Sequence, residues 1–367
     1  MANAIKYLLK KRVTFIIVLT VILLLISFLG GGRRTFIDYY WLGQIKPGSD
    51  SYIDVPSRDI FDYVTIIAGI LCTVTPIFDF RFKMRKVNID QMYSLPIKRE
   101  KLYLSHFIVG FISILIPVTV LLFEHLFNIL LSNHMYNLIY FIPFYFSLVA
   151  VMLLLYSIFA FLFTRANTMI DGIVTVVAGI FIVLMIAGVI ETVTGGFEIN
   201  RFLIWYPLSY VNDFFTHLSI YEEYIYLGVP LEEYSMLVEE IVSLIIFIIE
   251  GVVAFVLFVI LNKKEKAENC MQISNSWFSY KIMIPAYFSL FIMFCVIDGY
   301  ETIAILFLII AAYVGYVIYK RSFRLKKWDY IIIASCFVGA IVLGLVLDSV
   351  EEVLRHSIKD YYSIMPH

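Results

Sequence analysis

Charge is scarce in this sequence. Asp, Glu, Lys and Arg together make 16% of its 367 residues, where soluble domains carry about a quarter. Patterns that carry chemistry are scarce too. Nothing matches the phosphate-cradling G-x-x-x-x-G-K-[ST] loop, so any ATP that drives this protein must be bound by another chain. There is no H-E-x-x-H, no G-x-S-x-G and no Cys/His group at metal-ligand spacing, so no catalytic residue and no metal site is assigned. Cysteine is rare. Of Cys72, Cys270, Cys295 and Cys336, three fall within apolar runs, so no disulfide framework is implied.

What remains is apolar. Residues of the Ala, Val, Ile, Leu, Met, Phe, Trp, Tyr and Cys set make 61% of the chain. One water-soluble domain of this size cannot hide that much apolar surface. A soluble enzyme, a disordered chain and a nucleic-acid-binding domain are excluded on this ground. Nine predominantly apolar runs have the length of membrane spans: 13–29, 61–79, 104–131, 138–163, 170–190, 239–261, 282–298, 302–319 and 329–347. A membrane barrel would show alternating segments of about ten residues instead. The expected fold class is therefore an all-α integral membrane protein with about nine transmembrane helices. The 282–298 run is short and carries Pro285 near its start.

Basic residues set the expected orientation. With the N-terminus inside, 21 of the 28 Lys and Arg lie inside and seven outside. The N-terminal tail holds Lys6, Lys10, Lys11 and Arg12, and the 80–103 loop alone holds seven, a quarter of the total. About 20 of the 29 acidic residues fall outside, many of them in the long 191–238 connection. The near-neutral net charge of −1 thus conceals a basic inner face and an acidic outer one. The first run lacks a small-x-small cleavage site and reads as an uncleaved anchor.

The loops differ in character. The 30–60 loop opens on Gly30-Gly31-Gly32 and reads as an irregular excursion. The 80–103 loop is patterned: Asn88 or Asp90 is positioned to cap a short amphipathic helix that ends before Leu95-Pro96. The 191–238 loop carries Trp205 and Tyr206 beside Pro207, as interfacial segments do, and suits half-inserted helices. Ionisable residues within spans are costly and are candidate polar sites by default. They are Glu250, in the middle of the sixth run, and Glu124 with His125, towards the outer end of the third. Each also has a purely structural reading, as a hydrogen-bonded carboxyl or a group within reach of interfacial water. Pro76, Pro117, Pro143 and Pro285 fall in or near spans and favour kinks.

Glu351-Glu352-Val353-Leu354-Arg355 approaches the EExxxR motif of a family of intramembrane metalloproteases. It has one residue too few before the arginine, follows the last span and lacks the downstream histidine motif. Three other stretches carry a closer resemblance. Asp90-Gln91-Met92-Tyr93-Ser94-Leu95-Pro96-Ile97-Lys98-Arg99, after a basic run, resembles the D-x-x-x-S-L-P-I-x-R loop between the second and third helices of type-2 ABC transporter permeases, in particular the Ytr-like permeases of Firmicutes. Glu265-Lys266-Ala267-Glu268 is similar to that group's S-E-x-A-G turn, with Lys264 and Glu268 in place of Ser and Gly. Lys320-Arg321-Ser322-Phe323-Arg324-Leu325-Lys326-Lys327-Trp328 resembles its basic segment between the eighth and ninth helices. The chain departs from those relatives that carry an extracellular domain after the last helix: it ends about 20 residues beyond it, at His367.

The resemblance implies a multi-pass permease subunit of a bacterial cell membrane. It would pair with a second permease copy or paralogue and with cytoplasmic ABC ATPase subunits. ATP and magnesium would sit on those ATPases, and this chain would bind no cofactor and be no enzyme. The residues expected to face the ATPase are Asn88, Asp90, Tyr93, Ser94, Leu95, Pro96, Ile97, Arg99 and Lys101. Residues 1–262 would form a six-helix core, 263–347 an appended three-helix module and 348–367 a short outer tail. The expected activity is export or clearance of a peptide, an antibiotic or a lipid-like substrate. The alternative is a membrane sensor or scaffold that binds a ligand through its outer loops.

Overall fold

The structure, a computed structural model, describes residues 1–29, 40–42, 53–55, 61–94, 96–131, 138–194, 205–227, 238–272, 274, 280–297, 302–320, 324 and 327–364. Among them the helices are α1 (Ala2–Leu29), α2 (Asp62–Asp79), α3 (Lys86–Tyr93), α4 (Arg99–Leu131), α5 (Phe141–Thr164), α6 (Met169–Thr194), α7 (Tyr206–Leu227), α8 (Val238–Lys263), α9 (Tyr280–Ile297), α10 (Thr302–Lys320) and α11 (Lys327–Ile364). Two three-residue strands, β1 (Tyr40–Leu42) and β2 (Ile53–Val55), pair antiparallel with Trp41 opposite Asp54.

Helices form where the sequence carries continuous apolar runs, because only closed backbone hydrogen bonding is tolerated in hydrocarbon. Seven are long and apolar enough to cross a membrane: α1, α2, α4, α5 with its preceding 138–140 turn, α6, α8 and the first two-thirds of α11. The architecture is thus all-α and multi-pass. The other two expected spans are helices as well, but the apolar stretches of α9 and α10, Met283–Ile297 and Ile305–Val317, are shorter. Within the 191–238 connection, α7 is a continuous 22-residue helix and is not among the seven.

The chain divides into two compact units. The first comprises residues 1–82, 91–161 and 205–265. Its centre is the 33-residue α4, which carries α1, α2 and α8 along its flanks, while α7 packs on α2. Rings fill the space: Phe61 stacks on Phe144 at 5.0 Å, and Phe107 and Phe80 meet Phe258 at 5.4 and 5.3 Å. Asn212 of α7 donates to Asp62 at the start of α2 at 2.6 Å, and Trp205 donates to Thr73, further along α2, at 3.2 Å.

The second unit comprises residues 83–90, 162–204 and 266–367. Here α9 packs against α6, α10 and α11 around buried Ile292, Ala312, Tyr316, Phe337 and Ala340. Thr168 caps α6, its hydroxyl accepting from the Asp171 amide at 3.2 Å. Residues 267–272 and 274 are pinned within this unit. The Met271 amide donates to the Asn167 carbonyl at 3.1 Å, Ser274 to the Arg165 carbonyl at 2.7 Å, and Tyr319 to the Ser274 carbonyl at 3.1 Å. This partition is drawn differently from the one expected at residue 262: α6 falls in the same unit as the last three helices.

Two glycines give opposite expectations for packing. A Cβ at Gly251 of α8 would come within 2.7 Å of Leu154 Cβ, whereas one at Gly339 of α11 would meet nothing within 4 Å. Gly251→Ala is expected to lower stability by about 1–3 kcal/mol through overpacking. Gly339→Ala should be neutral or slightly stabilising, since alanine is the better helix former. Denaturant or thermal unfolding of the two variants in one detergent checks both.

Candidate functional site

The 80–103 loop contains a helix where one was expected, with a different start. α3 begins at Lys86, ahead of Asn88 and Asp90, so neither caps it: Asn88 lies half-buried within the helix and Asp90 is exposed on it. The inward-facing residue explains the start. Ile89 is buried, and its amide closes the first turn on the Arg85 carbonyl at 3.0 Å. The helix stops at Tyr93, before Pro96. Leu95 lies outside the described residues.

In the first unit the returning limb of the loop is fixed at several points. The Tyr93 and Tyr103 hydroxyls lie 3.0 Å apart, and the Arg99 guanidinium sits 4.9 Å over the Tyr93 ring. Arg99 also donates to the Glu265 carbonyl, and Glu100 pairs with Lys263 at 3.5 Å. The loop and the turn after α8, two of the three stretches that carry the family resemblance, therefore touch. Ser94, Pro96, Arg99 and Lys101 are exposed, and Ile97 is half-buried. In the second unit Lys83 is buried and its ammonium donates to the Thr164 carbonyl. Val87 points outward, 78% exposed.

The root of the loop holds a polar cluster that the apolar pattern did not flag. Asp79, the last residue of α2, has a fully buried side chain. A carboxylate there meets the negative end of the helix dipole and has no water, so it requires donors. Arg12 of α1 supplies an ion pair, and the Tyr156 hydroxyl of α5 donates a hydrogen bond. Gly110 of α4 makes the room: a Cβ there would overlap both the Asp79 carboxylate and the Tyr156 hydroxyl. Next in sequence, Phe80 stacks near Tyr103 at 6.2 Å and Phe82 stacks on buried His106 at 4.3 Å.

Of the expected intramembrane sites, Glu124 and His125 belong to one network. Glu124 accepts from Ser27 of α1 at 3.0 Å and from Asn128 at 2.5 Å, and lies 2.8 Å from His125 Nδ1. The His125 ring stacks on Tyr63 at 5.7 Å. Glu250 is not part of it. It sits on the exposed face of α8 among Ile246, Ile249 and Val253, while its neighbour Gly251 faces Leu154. Among the described residues no group of three His, Cys, Asp or Glu side chains is placed to hold a metal ion.

In comparisons with known proteins, no family model, no curated protein and no solved structure matches the chain.

Sequence reasoning passed over Arg12, Asp79, His106, Gly110 and Tyr156. Arg12 counted only as a topological charge, and Asp79 as the end of an apolar run. The available signal was an acid at a helix C-terminus, where the dipole disfavours it. Geometry also yields a chemical reporter for α3 within the second unit. Burial holds the Cys270 thiol above its ordinary pKa, the Asp90 carboxylate pushes it further up, and Lys83 and Lys86 pull it down. Removing the acid leaves more thiolate at a given pH. Asp90→Asn is expected to speed maleimide modification of Cys270 several-fold near pH 7.5, because removing that carboxylate lowers the thiol's pKa. Peptide mass spectrometry against unmodified Cys72 and Cys295 measures it.

Proposed function

We propose that the chain is the membrane-spanning permease subunit of an ABC transporter, driven by a separate cytoplasmic ATPase. The observation that carries this reading is the loop between α2 and α4: a short helix with an outward face, joined directly to two spans and fixed on its returning limb by Tyr93, Arg99 and Glu100. A soluble motor can move a bundle only through something short, rigid and attached to spans on both sides. The contact of Arg99 with Glu265 supports the reading further, since both lie in stretches that resemble the permease family. In this reading the N-terminus and the 80–103 loop are cytoplasmic, all nine apolar helices cross the membrane, and two permease chains assemble with two ATPases. The substrate is a peptide, an antibiotic or a lipid-like molecule.

The test uses this chain co-expressed with each ABC ATPase of its own genome, starting with any encoded beside it. One of them should co-purify with it, and ATP hydrolysis should rise when the two are reconstituted together. Replacing Asp90, Leu95, Pro96 and Arg99 together by alanine should leave the chain folded and cut its stimulation of ATP hydrolysis at least about tenfold, a loss of roughly 1.4 kcal/mol in coupling. Undiminished stimulation would remove the loop from this role. A chain that purifies without an ATPase while binding a ligand through its outer loops would favour the sensor reading.

A further inference from the structure

α1 is attached to its unit by one narrow stripe. Leu8, Ile16, Leu23 and Ser27 are buried, whereas Val13, Phe15, Ile17, Val21 and Leu25 face outward. Lipid tails solvate apolar side chains as well as a neighbouring helix does, so apolar contact alone gives little preference for the docked position. What distinguishes the docked helix is a pair of polar ties. Arg12 pairs with Asp79 towards one end, and Ser27 donates to Glu124 at 3.0 Å towards the other, 15 residues or about 22 Å along the axis.

The first tie has two features that the second lacks. It is charged, and its acceptor is the residue from which the loop departs: Asp79 closes α2 and Phe80 follows. Any displacement of Phe80 to Phe82 therefore acts first on the carboxylate that holds α1. Arg12 also has a second resting place. Its side chain is partly exposed, and from its place just before the apolar run at 13–29 a long guanidinium stem can reach lipid phosphates. Asp79 would keep its bond from Tyr156 in the space left by Gly110.

We infer that Arg12, Asp79 and Tyr156 form a latch. Closed, it holds the N-terminal half of α1 on α2 and α4. Opened by movement of the loop root, it releases that half of the helix, with Arg12 transferred to an anionic lipid headgroup. The permease reading enters only as the source of the movement.

The experiment uses the full chain in nanodiscs containing phosphatidylglycerol, with its four cysteines replaced and no ATPase present. Absence of a partner thus bears on the permease reading alone. Spin labels at Tyr7 of α1 and Lys101 of α4, both exposed, report the latch, and labels at Ile70 of α2 and Val252 of α8 report the bundle. The parent chain should give one narrow Tyr7–Lys101 distance. Asp79→Asn should populate a second, longer distance at least about tenfold more, because it leaves the guanidinium without its counter-charge. Adding Arg12→Gln should return most of the population to the short distance, because two uncharged amides can hydrogen-bond across the same contact with no stranded charge, which general loosening of the bundle would not do. The Ile70–Val252 distance should stay fixed throughout. An unchanged Tyr7–Lys101 distance in Asp79→Asn, or no recovery with Arg12→Gln, overturns the latch. If Asp79→Asn also broadens the control pair, Arg12→Ala decides, since it removes only the α1 side of the tie and leaves Asp79 bonded to Tyr156. A longer Tyr7–Lys101 distance with an intact control supports the latch, and no change overturns it.

Discussion

An acid at the end of an apolar helix has nowhere to place its charge, and in this protein Asp79 depends on three other helices to resolve that conflict. Arg12 of α1 supplies the counter-charge, Tyr156 of α5 supplies a donor, and Gly110 of α4 withholds a side chain so that both can reach it. Breaking such a pair from one side typically costs about 3–5 kcal/mol, because a charge is then left buried without a partner. One contact thereby fixes the mutual positions of α1, α2, α4 and α5 just where the chain leaves the bundle for its patterned loop. The surrounding rings of Phe80, Phe82, Tyr103 and Phe107 exclude water and keep the pair the best available arrangement.

Much of the architecture was legible because one physical rule dominates it. A chain in hydrocarbon must close its backbone hydrogen bonds within each segment, so every long apolar run is a helix. The runs read at 61–79, 104–131 and 239–261 match α2, α4 and α8 within a few residues, apart from the earlier, charged start of α4 at Arg99. The short helix of the 80–103 loop was legible as well, although its start was not. Asn88 and Asp90 looked like caps, but burial of Ile89 draws the helix back to Lys86.

Pairings between distant polar residues were not legible. Arg12 and Asp79 are 67 positions apart, and each has a plausible local explanation, as a flanking charge and as the end of a span. Tyr156 is one of 26 tyrosines. Glu124 was recognised but its partners Ser27 and Asn128 were not, since neither stands out within an apolar run. Periodicity likewise says where helices are and little about which of them pack together. The family resemblance implied a six-helix core that includes α6, yet α6 packs on α9 and α11.

Together these features describe a helical bundle whose patterned loop is held at both ends: by buried aromatic and charged residues at the root, and by Tyr93, Arg99 and Glu100 on the return. The central claim is that the outward face of α3 is the seat of an ATPase. Val87 lies on that face with no side-chain cover. A photo-crosslinking amino acid at Val87, activated in intact membranes, tests this most directly. The account predicts an adduct identified by sequence as an ABC ATPase, diminished when the crosslinker is moved to the outward-facing Phe123 of α4. Adducts to lipid alone at both positions would contradict it.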